Sequence, residues 1–312
     1  MTTDLRWTAL PDEAGVRLDK FLASPDRLGS RARAVTALER GKVFVNDQEA
    51  SLDDAGRRLA VADNVRVWLD RPGSAKRKLA VGRSVDLDVV FEDDLIVVVN
   101  KPAGILTVPL DRHPSVPSVY GQIVDRLRSY GKRKPFVVHR IDQDTSGLVL
   151  FAKTPEAQAH LKAQFKARSV DRVYLAVVYG HPEPARGTWR DVLVWDEKAL
   201  IQKKTHPNDP RGTAATSRYR TIEAFADTSL IEVRLESGRR NQIRLQARLR
   251  GHTLVGEQRY VSGPDLTRPI SFGRQALHAS QLALAHPRDG SRLTFDAPLP
   301  PDIEQLLKQL RG

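Results

Sequence analysis

The chain contains no cysteine. Disulfides and thiolate-held metal sites are therefore excluded, and a reducing cytoplasm is the expected location. Its eight histidines show no metal-ligand spacing, so no metal is expected. The first residues, Met1 to Trp7, lack the apolar stretch of a secretory signal. The longest apolar runs, Leu95 to Val99 and Leu148 to Ala152, are far shorter than the about 20 residues a membrane helix needs. No internal repeat and no low-complexity tract occurs. What is present is a chain of 312 residues, 40% of them apolar, which can bury a sizeable core. It is strongly basic, with 50 Lys and Arg against 38 Asp and Glu and a net charge of +12. Such an excess suits a polyanionic partner, because each neutralised phosphate releases counterions. The alternative is a merely soluble basic protein, and the placement of the charges decides between them.

Along the chain, residues 1 to about 14 read as a loose leader. Leu18, Phe21 and Leu22 then repeat at helical spacing. Ser30 is a candidate N-cap for a second helix carrying Arg31, Arg33, Val35, Leu38 and Arg40, with Gly41 just past its end. Val43 to Val45 reads as a strand with a turn at Asn46 and Asp47, and Val65, Val67 and Leu69 alternate as another. These elements make a small α/β module over residues 15–70. Residues 71–83 have no periodicity, and their Pro, Gly and charge mark a linker. Residues 84–312 form a large α+β domain. Its strand candidates are Ile96 to Asn100, Val137 and Val138, Leu148 to Ala152, Tyr174 to Val178, and Leu230 to Leu235. Thr154 caps and Pro155 opens a helix to Arg168, and Ile303, Leu306, Leu307 and Leu310 share a stripe on a last helix.

The sharpest local signal is His139-Arg-Ile-Asp-Gln-Asp-Thr-Ser-Gly147. It falls between two strand candidates, where rigid flanks hold a loop that can carry catalytic groups. On composition alone it is equally a strand-to-strand turn whose carboxylates accept backbone N–H groups.

This nonapeptide resembles the His-Arg-Leu-Asp-x-x-Thr-Ser-Gly signature of the RluA-type pseudouridine synthases, with Ile141 for Leu. Further segments resemble the same family in the same order. They are Glu92 to Gly104 with its Asn-Lys-Pro-x-Gly loop, Tyr174 to Gly180, Gly238-Arg-Arg-Asn-Gln-Ile-Arg244, His252 to Tyr260, Ala276 to Ala279, and His286-Pro287. The N-terminal module is similar to a small RNA-binding domain shared with a small-subunit ribosomal protein. Arg17 to Leu22, Ser30-Arg31 and Gly41 to Asn46 carry that likeness.

The resemblance implies a pseudouridine synthase fold with a mixed, largely antiparallel sheet, and an isomerase that needs no cofactor. It implies Asp142 as the catalytic carboxylate, Arg244 as its charge partner and Tyr174 as the platform on which uracil stacks. Arg140 would fill the space that the flipped base vacates, with His139 beside it. Lys101, Arg239 and Arg240, and Arg31, Arg33 and Lys42 of the small module, would contact RNA. Asp144 reads as a turn residue. Whether Asp142 attacks as a nucleophile or abstracts a ribose proton stays open.

Charge placement agrees with an RNA partner. Arg126, Arg128, Lys132, Arg133 and Lys134 precede the loop, six arginines stand against Glu236 from Arg234 to Arg250, and Lys203, Lys204 and Arg211 form a third group. Two positions depart from the family pattern. Asn241 and Gln246 stand where histidines are common, which leaves the chemistry possible but RNA contacts or target choice altered. The expected substrate is structured RNA, ribosomal RNA of the large subunit ahead of transfer RNA, and the expected state is a monomer. The rivals are a non-catalytic RNA-binding or ribosome-assembly protein and an N-glycoside hydrolase using Asp142 with Asp144.

Overall fold

A computed structural model describes residues 4–69, 87–109, 116–128, 134–197, 199, 201–260 and 270–312. The linker of residues 71–83, and Lys132 and Arg133 of the first basic group, lie outside these residues. The chain divides into two units, Met1–Ser84 and Val85–Gly312.

In the first unit, alternation of apolar residues builds a four-stranded sheet in the order β1-β4-β2-β3. The strands are β1 (Asp4–Thr8), β2 (Val43–Val45), β3 (Gln48–Ala50) and β4 (Asn64–Trp68). Asn46 (φ 50°) and Asp47 (φ 60°) make the β2–β3 turn, a backbone conformation that short polar side chains tolerate. Helices α1 (Leu18–Leu22) and α2 (Arg31–Glu39) cover the sheet. Leu18, Phe21, Leu22 and Leu38 pack there on Val43, Val45, Val65 and Val67. Ser30 caps α2 by accepting from the Arg33 N–H. The loose leader expected for residues 1–14 is not what residues 4–13 form. β1 pairs with β4 from Asp4↔Trp68 to Thr8↔Asn64, because Leu5 and Trp7 alternate onto the core and Ala9 is buried.

The second unit is built on an eleven-stranded sheet. Its centre is β6 (Ile96–Lys101), β8 (Ser146–Ala152), β9 (Asp171–Tyr179), β13 (Thr228–Leu235) and β14 (Leu277–Ala285). β5 (Asp88–Glu92) forms one edge, β10 (Arg186–Asp196), β11 (Ile201–Lys204) and β12 (Thr213–Ala224) the other, and β7 (Phe136–Val137) and β15 (Arg292–Asp296) pair with β8 and β14. Pairing is antiparallel except between β8 and β14, which run parallel through His278↔Ser146 and Ala279↔Gly147. The strands β6 and β8 are apolar on both sides because both faces are covered. Val97, Val99, Val149, Tyr174 and Ala176 point to one face with Ile123 and Leu127 of α3 (Val119–Arg128) and Ile243 and Ala247 of α5 (Gln242–Arg248). Ile96, Val98, Leu148 and Leu150 point to the other, under Ala157 and Leu161 of α4 (Pro155–Ala167). Helix α6 (Pro301–Arg311) seals Val177 and Leu230 with Ile303, Leu306 and Leu307. No helix among the described residues is long and apolar enough to cross a membrane.

Candidate active site

The loop from Val138 to Thr145 leaves β7 and enters β8, and four side chains fix its path. Lys101 ends β6 with its ammonium fully buried, donating to the carbonyls of Pro102 (2.9 Å), Ile105 (2.9 Å) and Gln143 (2.6 Å). Burial pushes this amine down to about 7, against the pull of Asp144 and Asp142. Lys101 is thus held inside the protein, where it ties the 102–105 loop to the loop that carries Asp142. Thr107 Oγ1 donates to Ile141 O (2.8 Å). His139 Nε2 accepts from the Leu150 N–H (3.0 Å), and the ring stacks on Phe165 at 5.0 Å. Burial and the nearby Arg172 push its pKa down to about 3, so the imidazole is neutral. Arg274 Nη1 donates to Asp144 O (3.0 Å), which leaves Asp144 in the turn.

Gly147 explains the last position of the motif. It sits at φ 111°, and a Cβ there would lie 2.2 Å from Ala279 O. Only glycine allows β14 to run this close beside β8.

Asp142 stands at a cavity of about 650 Å³, which Arg140, Tyr174, Arg240 and Arg244 also line. Its carboxylate is about a quarter exposed. One oxygen, Oδ2, accepts from Asn241 Nδ2 (2.8 Å) and from Arg244 Nη1 (3.3 Å). Arg244 comes from α5, a helix whose polar side chains point into the protein; Gln242, Arg244 and Gln246 are all buried. Behind Arg244 lies Glu257, fully buried, which accepts from Arg244 Nε and Nη2 at 2.6 Å each and from the N–H groups of Arg259 and Tyr260. Burial works against the charge of both partners. Their mutual hydrogen bonds outweigh it, so Glu257 titrates below and Arg244 above its ordinary range. Tyr174, on β9, is buried, and burial raises the pKa of its hydroxyl.

Of the other residues singled out by the sequence, Arg140 is exposed at the cavity, and Arg240 lies over Trp195 with its guanidinium carbon 4.1 Å from the ring centroid. Arg239 is exposed, with Nε donating to Ala214 O (3.2 Å). Arg31, Arg33 and Lys42 belong to the first unit. There Arg31 pairs with Asp19 (2.9 Å), Arg33 reaches Leu28 O (3.5 Å), and Lys42 donates to Leu69 O. The basic clusters are less free than their spacing suggested. Arg126, Arg234, Arg244, Arg250, Lys203 and Arg211 all hold carboxylates of this chain.

Four contributors escaped the sequence: Glu257 under Arg244, Tyr260 beside both, Asn241 as a direct partner of Asp142, and Arg172. Arg172 lines the cavity over Phe165, and its Nε has no hydrogen-bond partner among the described residues. Only Asn241 carried a signal, its departure from the family pattern. Its contact is with the carboxylate and, within the protein, not with a surface open to RNA, since it is only 8% exposed.

A family model described as RNA pseudouridylate synthase matches residues 95–249. The ribosomal large subunit pseudouridine synthase D of Zymomonas mobilis is 35% identical over 97% of this chain and 96% of its own length. An uncharacterized RNA pseudouridine synthase of Bacillus subtilis is 35% identical over 97% of each. Among solved structures, human RNA pseudouridylate synthase domain containing 4 covers 72% of this chain and 93% of its own at a TM-score of 0.60 and 18% identity, a likeness of fold. Human RNA pseudouridylate synthase domain containing 1 gives a TM-score of 0.56 at 22% identity, over 73% of this chain and 95% of its own. From the nearly full-length likeness at 35% identity, and from the family model spanning β6 to α5, the chain belongs to the RNA pseudouridylate synthase family and is an isomerase acting on RNA.

Proposed function

We propose that the chain converts specific uridines of structured RNA to pseudouridine with Asp142 as the catalytic carboxylate and without a cofactor. One observation carries this reading. Asp142 lines the cavity together with a stacking-sized aromatic, Tyr174, and a guanidinium, Arg244, that holds its carboxylate and is itself neutralised from behind by Glu257.

The reaction breaks the bond from ribose to a uracil nitrogen, turns the base, and joins ribose to a ring carbon. It exchanges no electrons with a partner, so carboxylate chemistry suffices. The uridine leaves its stack to reach the site. Tyr174 then receives the base on its ring, and Arg140 occupies the space left in the RNA. Arg244 holds Oδ2 of Asp142 with a charge-assisted hydrogen bond. Oδ1, which makes no hydrogen bond among the described residues, is the oxygen that attacks the sugar or takes its proton.

Large-subunit ribosomal RNA is the proposed substrate, ahead of transfer RNA. The name of the Zymomonas mobilis relative supports it, as does the small first unit, whose Arg31, Arg33 and Lys42 would bind RNA. The protein would act as a cytoplasmic monomer. Carbodiimide mapping of pseudouridine in total RNA tests this in cells with the protein, without it, and with Asp142→Ala. Stops lost in both altered strains identify the sites. Stops that persist in both would favour a non-catalytic RNA-binding role, and free uracil released by the protein would favour glycoside hydrolysis.

A further inference from the structure

The hydrogen bonds around Asp142 have a direction. The Gln202 N–H on β11 donates to the Tyr260 hydroxyl oxygen (3.1 Å). With its oxygen so engaged, the Tyr260 O–H points to Asn241 Oδ1 (3.4 Å). An amide whose oxygen accepts must present its nitrogen on the other side, and Asn241 Nδ2 donates to Asp142 Oδ2 (2.8 Å). Backbone, phenol, amide and carboxylate thus form one chain of donors that fixes the amide's orientation. Its last bond falls on the same oxygen that Arg244 holds, so both donors restrain Oδ2 and Oδ1 is left for the cavity.

Asn241 also occupies an unusual backbone position. It precedes α5 at φ 51°, where asparagine is one of the few side chains tolerated, and its side chain does not cap the helix. The conformation turns that side chain away from the helix end and onto Asp142.

We infer that Asn241 is a positioning residue that selects the reacting oxygen of Asp142, and that as an amide it does so without titrating. The inference rests on Asp142 being the catalytic carboxylate. At this position the chain holds a group with no protonation step between pH 5 and 9.

The test uses purified full-length protein and total RNA labelled with [5-³H]uridine, taken from cells that lack the protein. Joining C5 to ribose expels the C5 hydrogen, so tritium release counts turnovers. Asn241→Gly removes the side chain without straining a left-handed residue. It is expected to lower kcat about ten- to a hundredfold, the effect of one lost hydrogen bond to a charged group, with apparent KM within about twofold. Asn241→His can still accept from Tyr260 and donate to Asp142 while neutral. It is expected to recover most of the activity at pH 8 and to lose it below about pH 6.5, an acid limb absent from the wild type. There the imidazolium would donate from both nitrogens, against the Tyr260 O–H, and add a second cation to Oδ2. Unchanged kcat in Asn241→Gly, an effect confined to KM, or a histidine profile parallel to the wild type would overturn the inference. Asp142→Ala run alongside separates the two levels. If it stays active, the carboxylate assignment fails; if it is dead while Asn241→Gly is fully active, only the positioning role fails.

Discussion

Removing the charge of Glu257 should cost both stability and turnover, two losses that a second variant can separate. Glu257→Gln preserves the shape but turns one accepting oxygen into an amide that donates. That amide would face either the Arg244 guanidinium or the N–H groups of Arg259 and Tyr260, all of them donors. Arg244, nine-tenths buried at its side chain, would keep only Asp142 at 3.3 Å as a counter-charge. Breaking a buried ion pair from one side typically costs about 3–5 kcal/mol. For a unit of this size that corresponds to a fall in Tm of about 6–20 °C. Arg244 would also turn towards Asp142, draw charge from it and depress kcat by at least about tenfold. The double variant Arg244→Met with Glu257→Leu separates the effects. An apolar pair of similar volume can regain most of the lost stability, yet it should remain inactive because Asp142 has no cation. Thermal unfolding with tritium-release kinetics on the same preparations is the assay. A loss below about 1 kcal/mol in Glu257→Gln, or a double variant that is active, would refute the reasoning.

Acid should weaken the fold through His139. The folded imidazole takes a proton only near pH 3, whereas in the unfolded chain it does so near its ordinary 6.5. Stability therefore falls as pH drops from about 6.5 towards 3, and the gap between wild type and His139→Gln in urea unfolding should narrow from pH 7 to 4.5; parallel curves would contradict this. Gly147→Ala places a methyl 2.2 Å from Ala279 O and should abolish soluble expression or lower Tm by more than about 10 °C, whereas a melting curve matching the wild type would show that β8 and β14 can separate. Arg172 lines the cavity with no carboxylate partner among the described residues. If it meets an RNA phosphate, Arg172→Gln should raise apparent KM and make the salt dependence of binding shallower by about 0.7 in log–log slope. An unchanged slope would leave it a packing residue.

How much of this was legible depended on whether a signal was local. Thr154 and Pro155 announce α4, and the Thr154 hydroxyl does accept from the Ala157 N–H. Runs such as Ile96 to Val99 and Leu148 to Ala152 are central strands because nothing in them could face water. The motif around Asp142 identified the loop, and the fixed φ of Gly147 accounts for its glycine. What failed was non-local. α5 gave no helical stripe because it is buried all round, with Ile243 and Ala247 in the apolar core and Gln242 and Gln246 serving Ser217 and Asp191. The burial of Lys101 was not legible, because sequence does not show three carbonyls converging on one ammonium. Glu257 stands 13 residues beyond Arg244, and nothing in that spacing announces two hydrogen bonds of 2.6 Å. The basic runs overstated the free charge in part for the same reason, since the acids that hold Arg126, Arg244 and Arg250 come from other elements, while Arg211 and Arg234 are held by acids two residues away.

The central claim is that Asp142 drives formation of a carbon–carbon bond between uracil and ribose. Tritium release from [5-³H]uridine-labelled total RNA of cells lacking the protein, measured with wild-type and Asp142→Asn enzyme, tests it most directly, with nucleoside analysis of the product. The account predicts release that plateaus at a small fixed number of sites for the wild type, matched by equal pseudouridine, and none above background for Asp142→Asn. Release by Asp142→Asn at the wild-type rate, or no release by the wild type, would contradict it.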